Sequence, residues 1–215
     1  MSPAPVLAVD ACGILDLVRS QYRLEAPPRL LETALWALGA STHFPAEIHL
    51  VVFSQVKDEI QRNITDERRR LKEHVSTLGN TGHAVLSRSE AIAWKDAILK
   101  IEETLANLPE AWIDASHLVS PDPACVSRAN ARLAGGVAPG KRGSSNAGDC
   151  LIAEHLLEMA AILRNAGFRR PILFVSSNVR DFGRNVLKAP LDSQFEAVGI
   201  DYLPHIEAAM AQLGY

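Results

Sequence analysis

Long apolar runs are absent from these 215 residues. No stretch approaches the roughly 18 consecutive apolar residues a membrane-spanning helix needs. The opening Met1-Ser2-Pro3 has neither the basic flank nor the apolar stretch of a secretory signal. A soluble, cytoplasmic protein without membrane contact is the expectation. Cysteine is scarce too. Cys12, Cys125 and Cys150 stand too far apart for a disulfide framework or a paired-thiolate zinc site. Aromatic residues make up only 6%, and none is interleaved with the basic run Arg68-Arg69-Arg70, as stacking platforms for single strands require. Positive charge is not in excess either: 22 Lys and Arg against 25 Asp and Glu leave a net charge of -3. That excludes a surface coated in positive charge, while a local basic strip stays compatible with a polyanion. With 13 Gly and 12 Pro the chain is neither collagen-like nor low in complexity, and 47% hydrophobic residues suffice for a core. The length suits a single domain over 1–215.

What is there alternates. Val6-Leu7-Ala8-Val9 is an apolar run ending in Asp10, followed by Ile14, Leu15, Leu17 and Val18 at helical spacing. A second run, Ile48 to Phe53, closes on Ser54, read as a helix N-cap, and a polar helix follows from Gln55 to about Leu78. Pro171 to Val175 is a third strand candidate. Gly199 to Leu203 is a fourth, before a C-terminal helix from about Pro204. Between the second and third candidates, 89–105, 111–118 and 147–166 read as helix. Strands alternating with helices predict an α/β fold: a Rossmann-like central parallel sheet flanked by helices, with a helical insert over about 61–135. Ser120-Pro121-Asp122-Pro123 reads as a turn, and Gly135 to Ser145 as a flexible basic loop.

In an open parallel sheet, ligands bind outside the carboxyl ends of the strands. Asp10 falls there, as do Ser176, Asn178 and Asp181 after the third strand candidate. Glu59 lies early in the helix after the second strand, on the flank of a stripe marked by Val56 and Ile60, while Asp58 points further away. Asp149 opens the helix whose apolar stripe is Leu151, Ile152, His155, Leu156 and Met159. An aspartate there is also a favourable first-turn residue. Four carboxylates from four segments at one sheet edge repel unless a cation shares them. An all-oxygen donor set favours Mg²⁺ or Mn²⁺ over zinc.

Val6 to Asp10, Val56 to Ile60, Lys141 to Ile152, and Phe174 to Phe182 with its Ser-Ser-Asn-x-x-Asp-Phe turn resemble, in order and spacing, the four motifs of PIN-domain nucleases. The loop with Lys141 and Gly148-Asp149 is closest to a longer bacterial branch of that family. The resemblance implies a PIN-like fold and a divalent-metal-dependent endoribonuclease that hydrolyses phosphodiester bonds with a metal-activated water. Its acidic cluster would be Asp10, Glu59, Asp149 and Asp181, with Ser176 as hydroxyl partner and Asn178 supporting the turn. Asp10 and Asp149 would be direct ligands, Asp181 and Glu59 holding water or orienting the nucleophile. Lys141 and Arg142 would meet phosphates of an RNA substrate, and Glu154 matches an acidic position of some members. A toxin role with an antitoxin partner and a homodimer both occur among compact members, which are considerably shorter than this chain. After the first Asp, Ala11-Cys12 replaces the family's common hydroxyl residue and Asn.

Other readings compete with these. The fold could serve as a binding or scaffold module without turnover. A haloacid-dehalogenase-type phosphotransferase expects a second aspartate where Cys12 stands. Arg68-Arg69-Arg70 with Lys72 reads as a solvated helix face, because Asp66, Glu67 and Glu73 offset it. The seven histidines show no ligand spacing, and Trp36, Trp94 and Trp112 read as packing residues.

Overall fold

The computed structural model describes residues 4–22, 27–184 and 186–215. Its elements are β1 (Val6–Val9), α1 (Ala11–Arg19), α2 (Leu30–Thr42), β2 (His49–Phe53), α3 (Ser54–Val85), α4 (Arg88–Asp114), β3 (His117–Val119), α5 (Pro123–Gly135), α6 (Ala147–Asn165), β4 (Ile172–Val175), α7 (Leu191–Val198), β5 (Ile200–Leu203) and α8 (Ile206–Gln212). The strands form one sheet in the order β3-β2-β1-β4-β5, with every neighbouring pair parallel. This is an α/β architecture compatible with a Rossmann-like fold. Among the described residues no helix is long and apolar enough to cross a membrane.

Every residue of β1, β2 and β4 is buried, as the continuous apolar runs demand of strands covered on both faces. From β1 the chain steps outward through β2 to β3, then returns to the other side of β1 with β4. Strand order therefore reverses between β1 and β4, and the carboxyl ends of these two strands are where an open parallel sheet has its ligand crevice. Asp10 and Ser176 are the first residues beyond those two strands, and Val9 pairs with Val175 in the register.

The structure corrects several sequence expectations. Residues 117–119, overlapping the end of the segment 111–118 read as helix, form the edge strand β3, with His117 in register with Val51. Three residues are too few to display a period, so only the free edge of β2 selects that conformation. The stretch 61–135 is thus helical except for a strand of the main sheet. The long helix α3 runs on to Val85, its inner stripe being Val56, Ile60, Ile64, Glu67, Leu71 and Val75. Ser54 is not its cap: the helix begins at Ser54, Phe53 takes the N-cap place, and the Ser54 hydroxyl has no partner among the described residues. A capping box of Ser87 and Glu90 starts α4, which packs against α3 and α1. The turn 120–123 opens a further helix, α5, with Asp122 as N-cap and Pro123 in the first turn. Trp112 is fully buried and Trp36 packs on the core, but Trp94 is 41% exposed, its indole N–H donating to the Leu78 carbonyl.

Candidate functional site

The centre of the crevice is a hydrogen-bonded junction between β1 and β4. Asp10 caps α1: its Oδ1 accepts from the Ala11 N–H at 2.6 Å, and its Oδ2 accepts from the Ser176 hydroxyl at 2.8 Å. Ser176 Oγ also accepts from the Asn178 N–H at 3.1 Å, and the Tyr202 hydroxyl donates to the Ser176 and Gly183 carbonyls at 3.0 and 2.7 Å. Asp10 is only 2% exposed. Burial pushes its carboxyl up to about 6; the Ser176 bond pulls the other way and the charge of Glu59 adds to the rise.

The turn after β4 carries Asp181, and aromatic packing holds it. Phe182 meets Phe174 edge-on with centroids 5.1 Å apart and stacks on Tyr202 at 6.3 Å. Asn178 spans two acids, its amide nitrogen donating to Asp149 Oδ2 at 3.3 Å and Asp181 Oδ2 at 3.0 Å. The Asn146 amide nitrogen lies 3.4 Å from Asp181 Oδ1. Asp149 stands in the first turn of α6 and is partly buried. Burial, then the charges of Asp10, Asp181 and Glu59, push its carboxyl up to about 8, and a hydrogen bond with Asp181 favours the protonated form further. Glu59 sits one turn into α3, partly buried, whereas Asp58 is exposed.

The four acids are thus within electrostatic reach of one another, two of them bridged by one amide. The fold does not draw three of them into a ready cage: among the described residues no group of three or more His, Cys, Asp or Glu is positioned to hold a metal ion. The all-carboxylate donor set nevertheless suits a hard divalent cation, which would relieve the repulsion that adds to burial in raising Asp149.

Two buried acids elsewhere differ sharply. Glu67 is 4% exposed and bonds Arg19 at 2.8 Å and the Tyr22 hydroxyl. Burial alone would raise its carboxyl, but the bonds from Arg19 and Tyr22 and the charges of Arg19 and Arg70 bring it below the usual range. Glu154 is paired with Arg128 at 2.9 Å and Arg132 at 2.6 Å. This corrects the expectation for Glu154: it is saturated by two guanidinium groups and is not a member of the acidic cluster. Among the described residues, no Lys, Arg or His forms an ion pair with Asp10, Glu59, Asp149 or Asp181.

Lys141 and Arg142 are exposed on the loop before α6, and the Arg142 side chain donates to the Ala134 carbonyl at the end of α5 at 3.1 Å. Arg69 and Arg70 are exposed and pair with Asp66, Glu73 and Glu67 of their own helix, whereas Arg68 is half-buried and ties α3 to α4 through the Ala106 carbonyl and Glu110. Cys12 lies beside the acids, and burial together with the charges of Asp10 and Glu59 pushes its thiol up to about 12. That makes it an inert thiol. His155 is a packing residue: it stacks on Phe53 and its Nε2 accepts from the Asp122 N–H at 3.1 Å.

Sequence reasoning missed Tyr202 and Arg132. Asn146 was legible in part, three residues before Asp149 in a loop rich in Gly and Ser. Tyr202 and Arg132 carry no local signal: Tyr202 donates to the remote Ser176 and Gly183 carbonyls, and Arg132 bonds the remote side chains of Glu154 and Gln194 besides the Ala138 carbonyl. Comparison with family models, curated proteins and solved structures finds no match to this chain.

Proposed function

We propose that this chain is a divalent-metal-dependent endoribonuclease of the PIN kind, hydrolysing RNA at the crevice over β1 and β4. One observation carries the reading: the other buried acids, Glu67 and Glu154, are neutralised by arginine, whereas the four at the sheet edge are left facing each other, with Asp149 pushed up to about 8. Carboxylates kept at such cost mark a functional site rather than a stabilising one.

Bound Mg²⁺ or Mn²⁺ would supply the missing positive charge, bind phosphate oxygens and lower the pKa of a water. Asp10 and Asp149 are assigned as ligands, Asp181 and Glu59 as the acids that orient water. Ser176 favours the charged form of Asp10 by donating to it. Asn178 keeps Asp149 and Asp181 side by side. Lys141 and Arg142, exposed on the loop before α6, are assigned to meet the phosphates of the RNA.

The test is cleavage of labelled single-stranded RNA and DNA with and without Mn²⁺, alongside calorimetric Mn²⁺ titration. Metal-dependent RNA cleavage abolished by Asp149→Asn in a folded protein is the expected result. Mn²⁺ binding without cleavage of either polymer points instead to a PIN-like binding module, and neither binding nor cleavage sinks both readings. Purification with a small associated protein distinguishes a toxin of a toxin-antitoxin pair from a free-standing processing enzyme.

A further inference from the structure

Arg132 is 7% exposed, on α5, and every nitrogen of its guanidinium is engaged. Nε donates to Glu154 Oε1 of α6 at 2.7 Å, Nη1 to the Ala138 carbonyl at 2.5 Å, and Nη2 to Gln194 Oε1 of α7 at 2.9 Å. A single planar fork therefore ties two helices and a loop to α5. The loop is pressed onto the same place from its other side. A Cβ at Gly140 would lie 2.8 Å from the Val137 carbonyl oxygen, 3.1 Å from the Arg132 carbonyl oxygen and 3.0 Å from the Cys150 sulfur.

That loop leads into the acidic site. Asn146 Nδ2 donates to the Pro139 carbonyl, one residue beyond the carbonyl that Arg132 holds, and the same nitrogen reaches Asp181. The Asn146 side-chain oxygen accepts from the Lys141 N–H and the Ser144 hydroxyl. Three residues later comes Asp149. The path from Arg132 to the acids thus runs through Ala138, Pro139 and Asn146. Arg128, which also pairs with Glu154 and bonds Glu158 at 2.8 Å, is not bonded to the loop.

We propose that Arg132 is a positioning residue for the acidic site, holding the 137–146 loop so that Asn146, Asp149 and Asp181 face one ligand, with Glu154 as its fixed counter-charge. A buried guanidinium is costly to desolvate, and apolar packing would join α5 to α6 at least as well; what apolar packing cannot do is hold a loop carbonyl and two side-chain oxygens in one geometry. The inference rests on the nuclease reading only in what the acids bind, since loop positioning is measurable by itself.

Arg132→Lys keeps the charge and loses the fork; Arg128→Ala is the control. Two readouts apply: Mn²⁺ affinity by calorimetry, and the rate of tryptic cleavage after Lys141 and Arg142 in the full chain. Arg132→Lys is expected to weaken Mn²⁺ binding by about 10–100-fold, as loss of a group that orients ligands does, and to speed loop cleavage. Arg128→Ala is expected to change neither. Equal behaviour of the two variants overturns the proposal. Should Arg132→Lys not fold, Gln194→Ala removes one anchor without stranding a charge, and is expected to move both readouts the same way by a smaller factor; no movement in either overturns the proposal. If the wild-type chain neither binds Mn²⁺ nor cleaves RNA, the nuclease reading fails while the tryptic comparison still decides the positioning role.

Discussion

The Ser176 hydroxyl donates to Asp10 Oδ2 at 2.8 Å across the junction of β4 and β1, so the residue after one strand offsets part of the burial that raises the carboxyl after its neighbour. Hydrogen bonds to a charged group contribute about 1.5–3 kcal/mol. Ser176→Ala is therefore expected to move the Asp10 carboxyl above its value of about 6 by one unit or more. The pH profile of Mn²⁺ binding should shift to the alkaline side, with binding at pH 7 weaker by about twofold for a shift of one unit and about tenfold for two. An unmoved profile would show that the bond does not govern the charge.

Asp149 predicts how stability without metal depends on pH. Its folded carboxyl, at about 8, lies above the ordinary 3.8. The folded state therefore binds the proton more tightly, so the stabilising contribution is complete below pH 3.8 and is lost as pH rises towards 8. In chelator, Asp149→Asn should melt several degrees above wild type at pH 8, and the gap should narrow steadily as pH falls and close only below about pH 3.8. Adding Mn²⁺ should raise the melting temperature of the wild type and not that of the variant. A gap independent of pH would contradict the shift.

His155 works in the opposite direction. Burial holds its imidazole below the ordinary 6.5, and the Asp122 N–H occupies Nε2. The unfolded chain takes up the proton first, so this contribution is present above pH 6.5 and is lost as pH falls through the depressed folded value. The His155 ring resonances should titrate with a midpoint below 6.5. Titration of the ring at or above 6.5 would exclude the buried acceptor role.

Gly183 closes the turn that carries Asp181. Its φ is +122°, and a Cβ there would lie 2.1 Å from the Val186 carbonyl oxygen. Neither the conformation nor the space admits a side chain. Gly183→Ala should destabilise by about 2 kcal/mol or more, and Mn²⁺ affinity should fall with it. Thermal melting and titration of the same preparation check both effects.

The strand candidates at β1, β2 and β4 and the positions of Asp10, Glu59, Asp149, Ser176, Asn178 and Asp181 at the sheet edge were all legible in the chain. Each is a local pattern: an apolar run ending in a polar residue, or a polar residue at the mouth of a helix. Local patterns survive folding because a strand buried on both faces admits few other sequences.

The tertiary structure alone decided which acids are neutralised. Glu154 and Asp149 lie five residues apart on one helix, and neither its spacing nor its composition tells them apart. Two arginines of α5 meet Glu154, while Asp10, Asp181 and Glu59 surround Asp149. Edge strand β3 and the three-way grip of Arg132 were invisible for the same reason. Their conformation and contacts depend on neighbours far along the chain, and the electrostatic and hydrogen-bonding energies that select them exist only once the fold has brought those neighbours together.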